Sequence, residues 1–214
     1  ATSNTGEFNQ TNPDIRFSQL NTPQSQINAV RRKYEGTDQW MKAPNGEPTK
    51  LNEMQWLQVR TPNFKAWFGD WENDAKNASK VVDANGEPMV VYHGTRTKEK
   101  FTEFHTFTAG IFGAGAYFSV RKHEAGGYAK GGKIYEAFIN VKNPLSLSDK
   151  AFMQNYFRPA TQDEAISLGY DAVITTTGAE HKIDYVIAFE PTQIKSATSN
   201  TGEFNQTNPD IRFS

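Results

Sequence analysis

The chain has 214 residues, 36% of them hydrophobic, with 23 Lys+Arg against 24 Asp+Glu and no cysteine. That length holds one well-buried domain and an appendage. The balanced charge gives no whole-chain field toward nucleic acid or membrane, and the missing thiols exclude disulfides, thiolate metal sites and a cysteine nucleophile. Cysteine-free composition fits a cytosolic site of action. No apolar run approaches the ~18 residues of a membrane span, and the opening ATSNTGEFNQ is no signal peptide.

Residues 1–18, ATSNTGEFNQTNPDIRFS, recur letter for letter as residues 197–214. The spacing is far longer than a solenoid repeat. Phe8, Ile15 and Phe17 are the large apolar residues of the segment, so it buries too little to fold alone and should be extended or disordered unless docked. Either a tandem array carries one tail too many, or the segment is a processing signal in a longer precursor. Residues 1–21 read as the polar tail of a preceding unit or a linker that the fold should not need, and 197–214 as a polar C-terminal tail.

Next comes a helical segment, 22–80. TPQSQINAVRRKYEG (22–36) opens with a Thr cap and Pro and spaces Ile27, Val30 and Tyr34 helically. Residues 37–50 read as loop, 50–60 as a second helix, and TPNFKAWFGDW (61–71) as a third that closes near Gly69. Trp56, Phe64, Trp67 and Phe68 form a core stripe for packing against a following sheet, in preference to a ligand platform.

From residue 80 short strands alternate with Gly-rich turns, and the reading is one domain over 81–196. Strands are predicted at 87–93, 115–120, 133–141, 170–175 and 184–190, and helices at 121–130, 149–157 and 161–168. This pattern is α+β and not doubly wound.

GIFGAGAYFSV (110–120) carries three glycines, but there is no Walker lysine and the glycines precede a strand, so both common nucleotide fingerprints fail. A turn that lets something flat approach is the better reading. Tyr128 lies 11 residues after Tyr117, across the predicted helix over 121–130. Two such tyrosines can clamp an aromatic ring at a strand–helix corner, or each can simply pack in the core. The four histidines show neither an i,i+4 pair nor HExxH, so no zinc site is expected. No G-x-S-x-G elbow supports a serine triad. EAGGY and GAEHK offer carboxylates without glycosidase spacing.

The ordered set YHGT (92–95), GAYFS (115–119), Tyr128 and DYVIAFEPTQI (184–194) resembles ADP-ribosyltransferases of the diphtheria-toxin and poly(ADP-ribose) polymerase type, the histidine–tyrosine–glutamate class. TPNFKAWFGDW, VVDANGEPMVVYHGT and EPTQIKSATSNTGEFNQTNPDIRFS are similar to such domains in polyvalent proteins of phages and mobile elements, and the resemblance covers roughly residues 50–214. It implies a split β-sandwich with short helices, with 81–196 as the catalytic domain. It also implies NAD as co-substrate without a metal, mono-ADP-ribosyl transfer to an unidentified protein or nucleic-acid acceptor, and no membrane partner. The expected setting is a phage or bacterial effector, or toxin, acting in the cytoplasm of the cell it is delivered to, within a larger polyprotein of neighbouring domains.

By the same resemblance, His93 donates to a ribose hydroxyl, and the backbone of Gly94 pairs with the nicotinamide carboxamide, where Thr95 adds a hydroxyl. Tyr117 and Tyr128 sandwich the pyridinium by cation–π attraction. Phe118 and Ser119 complete the binding stretch, Ser119 sharing a strand face with Tyr117. The family glutamate has two stand-ins, Asp184 at the strand start, one methylene shorter, and Glu180 in the preceding loop. GAEHKIDY (178–185) holds no glutamate-x-glutamate pair, which argues against the arginine–serine–glutamate branch. The shortened acid leaves room for an NAD glycohydrolase or a catalytically weak NAD-binding module.

Overall fold

Two Thr-Pro pairs and an Asn cap open three helices in the computed structural model, which describes residues 22–106, 109–110, 113–148, 162–177 and 182–213. In α1 (Pro23–Tyr34) the Thr22 hydroxyl accepts from the Ser25 N–H, and in α3 (Pro62–Phe68) Thr61 does the same for Phe64. Between them α2 (Glu53–Gln58) starts from a reciprocal capping box of Asn52 and Gln55. That cap makes α2 shorter than the predicted 50–60, because Lys50 and Leu51 precede it. Gly69, at φ 100°, ends α3.

The sheet strands are β1 (Val91–Thr95), β4 (Ala116–Ser119), β5 (Lys133–Ile139), β6 (Pro144–Ser148), β7 (Ala172–Thr177), β8 (Lys182–Ala188) and β9 (Ile194–Ser196). A separate ribbon pairs β2 (Ala109–Gly110) with β3 (Gly113–Ala114). The seven strands lie in the order β6-β7-β8-β4-β1-β5-β9. Among the described residues β6 and β7 pair parallel and the other pairs are antiparallel. Helices α4 (Lys122–Ala129) and α5 (Gln162–Ser167) complete an α+β architecture.

Several predicted boundaries move for identifiable reasons. The strand expected at 87–93 begins at Val91, because Pro88 has no N–H and instead closes a short turn opposite Val82. The strand expected to reach residue 190 stops at Ala188, because Gln193 Oε1 takes the N–H groups of Phe189 and Glu190 at 2.9 and 2.8 Å. The helix expected over 149–157 lies outside the described residues, as do residues 1–21. Strands β6 and β9 were not anticipated: one is polar and opens with Pro, the other is three residues long.

The aromatic stripe is core, as expected. Phe64 meets Phe138 of β5 edge-on at 5.2 Å and stacks with Phe68 at 5.0 Å, and Trp56 and Trp67 are buried with them. Arg60 lies over Trp56 at 3.8 Å and pairs with buried Glu87 at 2.9 Å, which ties the helices to the turn before β1. A second cluster, including Val91, Phe118, Ile139 and Val186, fills the sheet interior.

Residues 197–213 are docked. Phe204 joins the helical cluster and Ile211 the sheet cluster. Among the described residues, no helix is long and apolar enough to cross a membrane.

Candidate active site

The sheet is weakest between β1 and β4, where one residue pair, Tyr92 opposite Ser119, joins the two strands. Beyond it β1 continues through His93, Gly94 and Thr95 with β5 as its strand partner on the far side only. The strands part there, and a groove of about 430 Å³ opens between them. It is lined by β1 (Tyr92, His93, Gly94), β4 (Tyr117, Phe118, Ser119), α4 (Ala125, Tyr128), Tyr185 of β8, and Gly110. A volume of that size falls within the roughly 300–1,000 Å³ of small-molecule sites.

His93 bridges the parted strands. Its Nδ1 lies 2.8 Å from the Tyr117 carbonyl oxygen. A carbonyl can only accept, so Nδ1 carries the hydrogen. The ring packs edge-on to Phe104 at 5.0 Å and beside Phe118 at 5.6 Å. Burial pulls its pKa below the usual histidine value, with only partial opposition from the bond to Tyr117. The ring is therefore neutral near pH 7, and Nε2 is an acceptor. A hydroxyl meeting Nε2 would have to donate to it, whereas the sequence expectation has His93 donating.

Gly94 brings α4 onto β1: a Cβ there would overlap the Ala125 carbonyl oxygen. On the opposite wall the Tyr117 ring lies against Gly110, where a Cβ would crowd Cζ and Oη, and the hydroxyl donates to the Gly113 carbonyl at 2.6 Å. The flat group that the Gly-rich turn admits is thus the Tyr117 ring itself. Tyr128 projects from the last turn of α4 with 66% of its surface exposed. Tyr117 and Tyr128 face one groove from β4 and α4, Tyr128 as the exposed wall and Tyr117 as the one held by a hydrogen bond. Thr95 is not among the lining residues; its hydroxyl accepts from the Thr97 N–H at 3.2 Å.

A family model for ADP-ribosyltransferases in polyvalent proteins matches residues 83–204, a span that includes every strand. The chain belongs to that family. A crystal structure of an anti-CRISPR protein is also similar, at 16% identity and TM-score 0.25, over 50% of this chain and 91% of that one. No curated protein matches.

In this member of the family the acidic side of the groove differs from the sequence expectation. Asp184 is a bulge residue: Ile183 faces Thr176 and Tyr185 faces Thr175, leaving Asp184 without a partner across β7. The Asp184 carboxylate forms an ion pair with Arg121 and does not line the groove, while its neighbour Tyr185 does. Glu180 lies outside the described residues.

Sequence reasoning offered Glu124 only as a carboxylate without a partner. Its carboxylate accepts from Ser119 Oγ at 2.6 Å, from Arg121 Nε at 2.7 Å and from the Tyr185 hydroxyl. Burial works to raise its pKa, but these hydrogen bonds outweigh it and hold the group below the usual carboxylate range. Burial and the Glu124 carboxylate together push the Tyr185 hydroxyl up. Arg121 thus links Glu124 to Asp184 at one end of the groove. The EAGGY stretch had already offered this carboxylate, but only the placement of β8 beside β4 shows what it touches.

Proposed function

We propose that this domain cleaves NAD at the bond between nicotinamide and ribose and transfers ADP-ribose to an acceptor. The observation that carries the reading is the groove itself, within an ADP-ribosyltransferase family: two tyrosines on opposite walls, with a neutral histidine and an unpaired strand edge between them. A pyridinium ring is flat and cationic, and aromatic faces attract it. The backbone of Gly94 would read its carboxamide, while Nε2 of His93 would accept from a ribose hydroxyl. Thr95 would then act by holding the loop after β1.

The bond between C1′ and the pyridinium nitrogen breaks heterolytically, and its electron pair leaves with nicotinamide. The oxocarbenium-like ribose left behind needs negative charge beside it and a nucleophile at C1′. Asp184 or Glu180 would supply that charge and take the acceptor's proton. For Asp184 this requires Arg121 to release it, or to share it with the substrate. That ion pair favours a second reading, in which the domain binds NAD and turns it over slowly or onto water. The acceptor is a component of the cell the protein enters, and its class is left to experiment.

Incubation with NAD labelled in the adenylate moiety separates the readings. Free nicotinamide with label on a macromolecule is the result expected. Nicotinamide with free ADP-ribose alone means hydrolysis, and neither product would reject the enzyme reading.

A further inference from the structure

Residues 197–213 do not line the groove, yet they complete the core. Phe204, 2% exposed, stacks with Trp67 at 5.8 Å and meets Phe64 edge-on at 5.0 Å. The Ile211 N–H donates to the Thr102 carbonyl at 2.8 Å, and its side chain is buried in the sheet cluster. Asn63 donates to the Gly202 carbonyl at 3.0 Å, and Gln206 donates to the Ala66 carbonyl at 2.8 Å. Buried Lys195 donates to the Asn208 carbonyl at 2.8 Å. Gly202 holds φ 92°, and a Cβ there would crowd Pro23 of α1.

Every group that the tail supplies to these contacts exists twice in the chain. Phe8 corresponds to Phe204, Ile15 to Ile211, Gln10 to Gln206, Asn12 to Asn208 and Gly6 to Gly202. The cleft recognises side chains and backbone that both copies carry identically, so covalent attachment is what distinguishes them. The attachment point also suits the leading copy. Thr201 N–H donates to the Arg212 carbonyl at 2.7 Å, and the adjacent Gly202 lies against Pro23, so the end of the docked segment returns close to the start of α1. Arg16, the counterpart of Arg212, precedes Pro23 by seven residues, a stretch that reaches about 24 Å when extended.

We propose that residues 1–18 are an alternative occupant of this cleft and dock within their own chain when residues 199–214 are released. Both copies are tethered to the same domain, so both compete at the high effective concentration of an intramolecular ligand. The fold can then be closed from either end, as in a circularly permuted protein whose termini lie near each other.

A protease site placed between the exposed residues Thr198 and Ser199 in the full chain tests this. After cleavage and removal of the tail under mild denaturant, the native leading segment should restore a monomer with a cooperative thermal transition. The same cut chain carrying Phe8→Ala and Ile15→Ala should lack that transition until a synthetic peptide of residues 1–18 is added. Before cleavage the two versions should melt alike. The proposal is overturned if the cut chains behave alike, folded or unfolded, or if the transition returns only with a concentration-dependent dimer, which would place the docking between chains.

Discussion

At the residue scale the site rests on what surrounds His93 and the two tyrosines. Tyr128 is largely exposed, so Tyr128→Ala should leave the melting temperature unchanged. It should weaken NAD binding about 10-fold, the effect of losing roughly 1–2 kcal/mol of cation–π attraction, measured by titration calorimetry. His93 gives a pH signature. Its native pKa lies below the unfolded value of ~6.5, so the folded state binds the proton less well than the unfolded chain. Its contribution is complete above about pH 6.5 and is lost as pH falls through the lower native value. Nicotinamide release should be flat above that pH and decline on its acid side, and His93→Gln should remove the decline along with most of the activity. The sequence made the histidine and the tyrosine pair legible, because YHGT and the 117-to-128 spacing are local. The direction of the His93 hydrogen bond was not legible, since the Tyr117 carbonyl that fixes it lies in another strand. The contact between Glu124 and Tyr185 was not legible for the same reason: it needs the β4–β8 pairing and the bulge at Asp184.

At the scale of elements, the groove exists because α4 lies directly on β1 and because β1 and β4 part after one residue pair. Gly94 sets the first condition. Gly94→Ala should force the Ala125 backbone away, lowering stability by about 1–3 kcal/mol as overpacking does and abolishing NAD binding. Denaturant melts and an NAD titration on the same variant check this, and retained binding would mean that α4 does not form the groove wall. Helix starts were readable in the sequence, since Thr22 and Thr61 cap through side chains adjacent in the chain. Strand ends were less so. The end of β8 depends on Gln193 reaching back to Phe189 and Glu190, and the start of β1 on the turn at Pro88.

At the scale of the whole molecule, strand order and tail docking escaped the sequence, because β6–β7 pairing and the burial of Phe204 join segments far apart in the chain. Both bear on stability. Lys195, on β9 and fully buried, has its pKa pulled down to about 8 by desolvation. Between that value and the ordinary 10.5, the unfolded chain holds a proton that the folded chain has lost. Unfolding free energy should therefore rise with pH across this window, by ~1.4 kcal/mol per unit for one proton. Denaturant melts from pH 7 to 10.5 should show the rise, and Lys195→Met should flatten it. The central claim, that the groove holds nicotinamide between Tyr117 and Tyr128, is tested most directly by saturation-transfer NMR of NAD mixed with the protein. The account predicts strong transfer to the nicotinamide protons that disappears in the Tyr117→Ala/Tyr128→Ala double variant. No transfer to those protons, or transfer that survives the double substitution, would contradict it.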